Sequence, residues 1–181
     1  MNFQKNNQFG FSLIELMVAM TIASFLMAAV YSFFISSSKT ALIQETTVAA
    51  VQSVRAGLEL MAQDIQMAGY DPLGTSGASI AVSQTGKIQV TADRNADGII
   101  NNSDFERITY ELSSGQLKRT LYEGTASESS QSLINNVTAL TFAYSGNKVT
   151  IELEVSETVG GGGETIVRNL ETTVYCRNLD L

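Results

Sequence analysis

The chain has 181 residues, a formal net charge of −7, no His, no Trp and one Cys. That length supports one modest core with appendages; zero His removes Ser–His–Asp and Cys–His catalysis and every His-ligated metal site, and a lone Cys removes internal disulfides and thiolate zinc sites. Net acidity leaves no electrostatic footprint for nucleic acid, and charged residues, at 16 %, are sparse enough that some stretch of the chain must lack them.

That stretch comes first. Leu16 to Ile35 is free of charge, and Glu15 is the only charge between Lys5 and Lys39. As a helix it reaches about 30 Å, one hydrocarbon thickness. A cleaved secretory signal has a shorter apolar region, about 7–15 residues, and the following Phe34–Ala41 segment offers small residues without a clean cleavage site. A plain anchor leaves Glu15 unexplained. An unpaired carboxylate deep in lipid costs about 2.5–3.5 kcal/mol; the helix N-terminus relieves part of that, and a free amine beside Glu15 would relieve more. Met1 is too distant to supply it, but a cut just before the apolar run would create one.

Gly10-Phe11-Ser12-Leu13-Ile14-Glu15 resembles the class III signal of type IV prepilins and type II secretion pseudopilins: a short polar leader, Gly before the cut, Phe after it, Glu at the fifth mature position. The resemblance implies cleavage between Gly10 and Phe11 by prepilin peptidase and N-methylation of Phe11. It implies that Glu15 pairs with the amine of a neighbouring subunit in a helical filament. Lys5 and the amine are the leader's basic charges, which favours a cytoplasmic N-terminus.

Helical patterning continues beyond the apolar run. Val51, Val54, Leu58, Met61, Ile65 and Ala68 form one stripe, with Gln52, Arg55, Glu59, Gln63 and Gln66 opposite. Gly69 and Pro72 end the pattern. A helix from Phe11 to Ala68 would be roughly 87 Å long. From residue 78 the period becomes two. Ile88 and Val90 alternate with polar neighbours, as do Ile108, Tyr110 and Leu112, and then Val149, Ile151, Leu153 and Val155. Strands are expected at Phe105–Leu112, Gln116–Tyr122, Val137–Tyr144, Lys148–Glu157 and Glu164–Cys176. Turns are expected at Ser113–Gly115, Ser145–Asn147 and Gly160–Gly163, making a one-sided antiparallel meander covered by the helix stripe.

The expected fold is therefore α+β, a pilin-like ladle: a long N-terminal helix with an antiparallel sheet packed on its C-terminal half. The divisions are 1–10 leader, 11–35 transmembrane or filament-core helix, 36–69 amphipathic continuation and 70–181 β-rich domain. Met61–Tyr70 and Phe105–Leu112 resemble a helix end and a strand of PilW-type minor pilins, with J-type pseudopilins next. The chain departs from many major pilins in having Ser32 and no Pro within the membrane helix, and one Cys where they close a C-terminal disulfide.

Asp93 to Asp104 has the spacing of a calcium loop: Asp93, Asn95 and Asp97 at positions 1, 3 and 5, Gly98 at 6, an Ile99 carbonyl, Asn101, and Asp104 at 12. The final acid is Asp, as in dockerin-like loops, and strands rather than helices flank it. A polar turn has the same composition, so both readings stand. Cys176 is in phase with Ile166, Leu170 and Val174 and reads as a small buried hydrophobe, a reactive thiol being the alternative. Lys118-Arg119 reads as a solvated pair, and Glu152 and Glu154 as one outer strand face.

No nucleophile or acid–base constellation points to an enzyme, and no cofactor is required. The resemblance implies a minor pilin that helps initiate type IV pilus assembly. Its partners would be prepilin peptidase, other minor pilins, the major pilin and inner-membrane lipid, with no nucleic acid. Localisation would be single-pass in the bacterial inner membrane with a periplasmic C-terminal domain, and then the extracellular filament. A type II secretion pseudopilin and a filament-tip adhesion module are the alternatives.

Overall fold

The structure is a computed structural model that describes residues 10–83, 86–159 and 164–179. The leader before Gly10 and the expected Gly160–Gly163 turn lie outside the described residues. The helix α1 runs from Leu13 to Gln66. It closes in a tightened turn, with Met67 and Ala68 N–H groups donating to Asp64 and Ile65 carbonyls. Gly69 follows at φ 77°, a left-handed conformation that glycine adopts without the Cβ penalty. Leu179 lies so close that a Cβ at position 69 would sit 2.4 Å from its Cδ2.

The chain divides into two compact units between Gln44 and Glu45. The N-terminal unit is helix α1 through Gln44. It contains an 18-residue window of mean hydropathy 2.2 with none of it buried, and Phe25 and Phe33 are exposed. By length and composition it suffices to cross a membrane. Two hydroxyls in it bond its own backbone: Thr21 Oγ1 donates to the Val18 carbonyl at 2.8 Å and Ser24 Oγ to that of Thr21 at 2.7 Å.

Among the described residues the C-terminal unit holds the remainder of α1 and eight strands: β1 (Ile80–Ser83), β2 (Lys87–Thr91), β3 (Arg107–Ser113), β4 (Gln116–Leu121), β5 (Ser129–Ile134), β6 (Val137–Ser145), β7 (Lys148–Val159) and β8 (Glu164–Tyr175). Val54, Leu58, Met61, Ile65 and Ala68 of the helix stripe pack into one core with Ile88, Val90, Ile108 and Leu117 and with Val149, Ile151 and Leu153. Gly57 permits close approach, since a Cβ there would lie 2.6 Å from Ile134 Cδ1.

The sheet expectation needs correction. Among the described residues there are two sheets, ordered β1-β2-β3-β4-β5 and β6-β7-β8, in place of one meander. Strand β5, Ser-Ser-Gln-Ser-Leu-Ile, has almost no apolar alternation, and four of its side chains are exposed; it pairs with β4 at the sheet edge and buries Ile134 at its end in the core. Asn135 and Asn136 then carry the chain to the second sheet, with Asn136 at φ 58°. Strand β3 starts at Arg107 because Asp104 and Phe105 both have positive φ, 52° and 58°, which extended backbone forbids.

Candidate functional site

Two segments carry the chemistry expected from sequence. At the start of α1, Ser12 sits just outside the first helical residue. The Glu15 N–H donates to the Ser12 carbonyl at 3.0 Å, and the Ser12 N–H reaches Glu15 Oε2 at 3.4 Å. This is the N3-acid half of a capping box. The helix end thus gives the carboxylate one local donor and a favourable dipole, and leaves its remaining acceptor capacity open. Phe11 and Leu13 are exposed at 87 % and 77 %. Gly10 has nothing within 4 Å of its would-be Cβ, so the Gly10–Phe11 junction is accessible.

The second segment is the Asp93–Asp104 loop between β2 and β3. Asp93 is fully buried and grips the loop's backbone: Oδ2 accepts from Gly98 N–H at 2.9 Å and Oδ1 from Asp97 N–H at 3.2 Å. Gly98 has φ 83°, and a Cβ there would meet Thr75 Oγ1 at 2.5 Å, so conformation and space both require glycine. Asn95 Nδ2 bridges Asp97 Oδ2 at 3.0 Å and Asp104 Oδ2 at 3.4 Å, and Asn101 Nδ2 reaches Asp97 Oδ2 at 3.0 Å. The Asn95, Asp97, Asn101 and Asp104 side chains therefore meet. Ile99 donates its N–H to Asp97 Oδ1 at 3.0 Å, and its side chain is exposed. Among the described residues no three Asp, Glu or Cys side chains are grouped to hold a metal ion, so a cation here would draw on amide and backbone oxygens as well.

Sequence reasoning missed two acids. Glu106 is fully buried beneath the loop and accepts from the Asn101 N–H at 2.9 Å and the Asn95 N–H at 3.4 Å. It follows the loop motif in sequence, so spacing alone did not mark it. Asp64, 5 % exposed on α1, accepts from Arg94 at Oδ1 (3.0 Å), and at Oδ2 from the Tyr110 hydroxyl (2.7 Å) and Arg119 Nε (3.1 Å). Arg119 is thus no solvated partner of Lys118: it turns inward, its guanidinium 5.8 Å from the Phe105 ring centre. Burial, then the Asp64 charge, pushes the Tyr110 phenol far above its ordinary range, so it remains a donor. Burial opposes the Arg119 charge, but the Asp64 carboxylate outweighs it and raises the guanidinium pKa. A signal was available: an Asp on the apolar stripe, one position before Ile65, demands a buried cation. Cys176 is buried.

Residues 5–31 match the family model described as prokaryotic N-terminal methylation motif, and residues 44–176 match that of prepilin peptidase-dependent protein B. No curated protein matches the chain.

Proposed function

The chain belongs to the prepilin peptidase-dependent protein B family, a type IV pilin-like group, and from that premise we propose that it is a PilW-like minor pilin that joins a minor-pilin complex and initiates a type IV pilus. The observation that carries this reading is the N-terminal unit: a helix with its apolar side chains exposed, an acid in its first turn and an accessible Gly10–Phe11 junction directly before it. Such a helix requires lipid or other helices around it. Before cleavage it waits in the inner membrane with its N-terminus cytoplasmic. Prepilin peptidase removes the leader after Gly10, the Phe11 amine is methylated, and that amine neutralises the Glu15 carboxylate of an adjoining subunit. The stem then leaves lipid for neighbouring stems. The role is structural, with no catalytic residues.

Mass spectrometry of the native N-terminus tests this. The expected result is a chain beginning at N-methylated Phe11. A start at Met1, or one beyond Ile35, would remove the filament reading and leave a tethered β domain.

We further propose the Asp93–Asp104 loop as a calcium loop, supported by the meeting of the Asn95, Asp97, Asn101 and Asp104 side chains. Calcium at a hundredfold its Kd adds about 2.7 kcal/mol, or several degrees in Tm. Chelation is expected to lower the melting temperature by that amount, and Asp104→Ala to abolish the difference. A melting temperature indifferent to calcium would leave a hydrogen-bonded polar turn.

A further inference from the structure

The two sheets present four edges, and three of them are blunted. Strand β1 is four residues long. Strand β5 is rich in Ser, and the β4–β5 register shifts between Leu117 and Lys118. Strand β6 is taken up by the first sheet: the Val137 N–H donates to the Gly115 carbonyl at 2.9 Å, and the Leu140 carbonyl lies 2.6 Å from where a Gly86 Cβ would stand. Strand β8 differs. Its twelve residues pair with β7 in unbroken register from Glu164↔Val159 to Tyr175↔Lys148. Among the described residues it pairs with β7 alone. It has no Pro and no bulge, two of the devices that normally protect an edge; its charged residues are Glu164, Arg168 and Glu171, and half of it is Thr, Val and Ile. A groove follows this free edge, floored by Leu58 and Ala62 of α1 and Leu170 of β8, with Arg55, Glu59 and Glu171 on its rim.

A second observation concerns charge. On the outer face Glu152 stands directly opposite Glu171, with Glu154 beside them opposite Asn169. Like charges directly opposed on a sheet are destabilising, and among the described residues none of the three has a Lys or Arg within 4.0 Å. Thr141 donates to Glu152 at 3.2 Å and Thr138 to Glu154, which fixes the carboxylates without neutralising them. A second copy of a chain with net charge −7 would bring more negative charge to this face.

We propose that β8 is a docking edge where another protein adds an extended strand, with small apolar residues facing α1 and basic residues facing outward over Glu152 and Glu171. Main-chain bonds to the free edge would supply affinity and the alternating side chains specificity. The site lies wholly in the C-terminal unit and does not depend on leader cleavage.

The test uses the full chain in detergent and a fluorescein-labelled ten-residue peptide of alternating Val and Lys. Saturable binding is expected, with slowed hydrogen exchange at residues 165–175. N-methylation of alternate peptide amides, which leaves the protein untouched, should weaken binding at least tenfold. The Glu152→Lys/Glu171→Lys double variant, checked for an unchanged circular dichroism spectrum, should lose the Val–Lys peptide and gain a Val–Glu one. Three results would overturn the proposal: no binding of the Val–Lys peptide at millimolar concentration, binding undiminished by N-methylation, or a Thr172→Cys variant that cross-links to a second copy through β8.

Discussion

Alanine at position 64 is expected to destabilise the C-terminal unit by about 3–5 kcal/mol, the cost of breaking a buried ion pair from one side. Among the described residues Asp64 is the one carboxylate paired with these two guanidiniums, at 3.0 Å from Arg94 and 3.0 Å from Arg119. Their side chains are only 29 % and 15 % exposed. Removing the acid leaves two positive charges facing each other with little water, and the Tyr110 hydroxyl loses its acceptor. Arg94 Nε is already buried without a partner, so the site holds no spare acceptor. Against a total stability of roughly 5–15 kcal/mol the loss is large, and the melting temperature should fall by roughly 10 °C or more. Asp64→Asn keeps an acceptor oxygen and the shape but not the charge, so its cost should be smaller. Tyr110→Phe removes one hydrogen bond, about 1 kcal/mol, and leaves both ion pairs. Urea denaturation of the three variants should give that order. Wild-type stability in Asp64→Ala would show that the two arginines need no anion.

Glu15→Ala should separate membrane insertion from filament entry. Within its own helix the carboxylate makes one contact, the 3.4 Å bond from the Ser12 N–H. Losing it costs the helix start about 0.5–1 kcal/mol. Removing a carboxylate from a lipid-facing helix favours insertion, so the prepilin should reach the membrane and be cut after Gly10 as before. On the proposed pairing, incorporation into the filament should nevertheless fall at least tenfold, because the Phe11 amine of the adjoining subunit would then enter the stem bundle without its counter-ion. Cell fractionation reports the first step, and immunoblotting of sheared filaments the second. Normal pilus number and length with Glu15→Ala would remove the charge pair from the mechanism; loss of insertion would show that the acid serves the membrane step.

The stem was legible because its signals are local. A charge-free run, a Gly–Phe junction and an acid at a fixed offset need no tertiary context, and neither does the Val54–Leu58–Met61–Ile65 stripe, since 3.6 residues per turn places one face by arithmetic. Strands β3, β4, β6, β7 and β8 followed from period-two alternation for the same reason. Strand β5 did not, because its first four residues are exposed and only Ile134 at its end is buried, which leaves no alternation to read. Thr109 reads as an outward residue by alternation but is fully buried, because Gln89 covers it from the next strand at 3.2 Å.

The candidate loop divides in the same way. Its twelve-residue spacing is written in the chain, and Gly98 holds the left-handed turn that spacing requires. Asp64 on the apolar stripe signalled a buried cation, but its partners Arg94, Tyr110 and Arg119 stand 30, 46 and 55 positions away, so the sequence did not say which; Glu106 falls outside the twelve-residue spacing although the N–H groups it binds belong to the loop. Local sequence sufficed for a membrane-length stem with an N-terminal methylation motif, an amphipathic continuation and a β-rich remainder, since each is a property of neighbouring residues. The split of the strands into two sheets, the binding of two arginines by an acid on the helix stripe and, among the described residues, the open long edge of β8 emerge in the folded chain. Those outcomes depend on which distant segments desolvate one another, and local periodicity does not encode that.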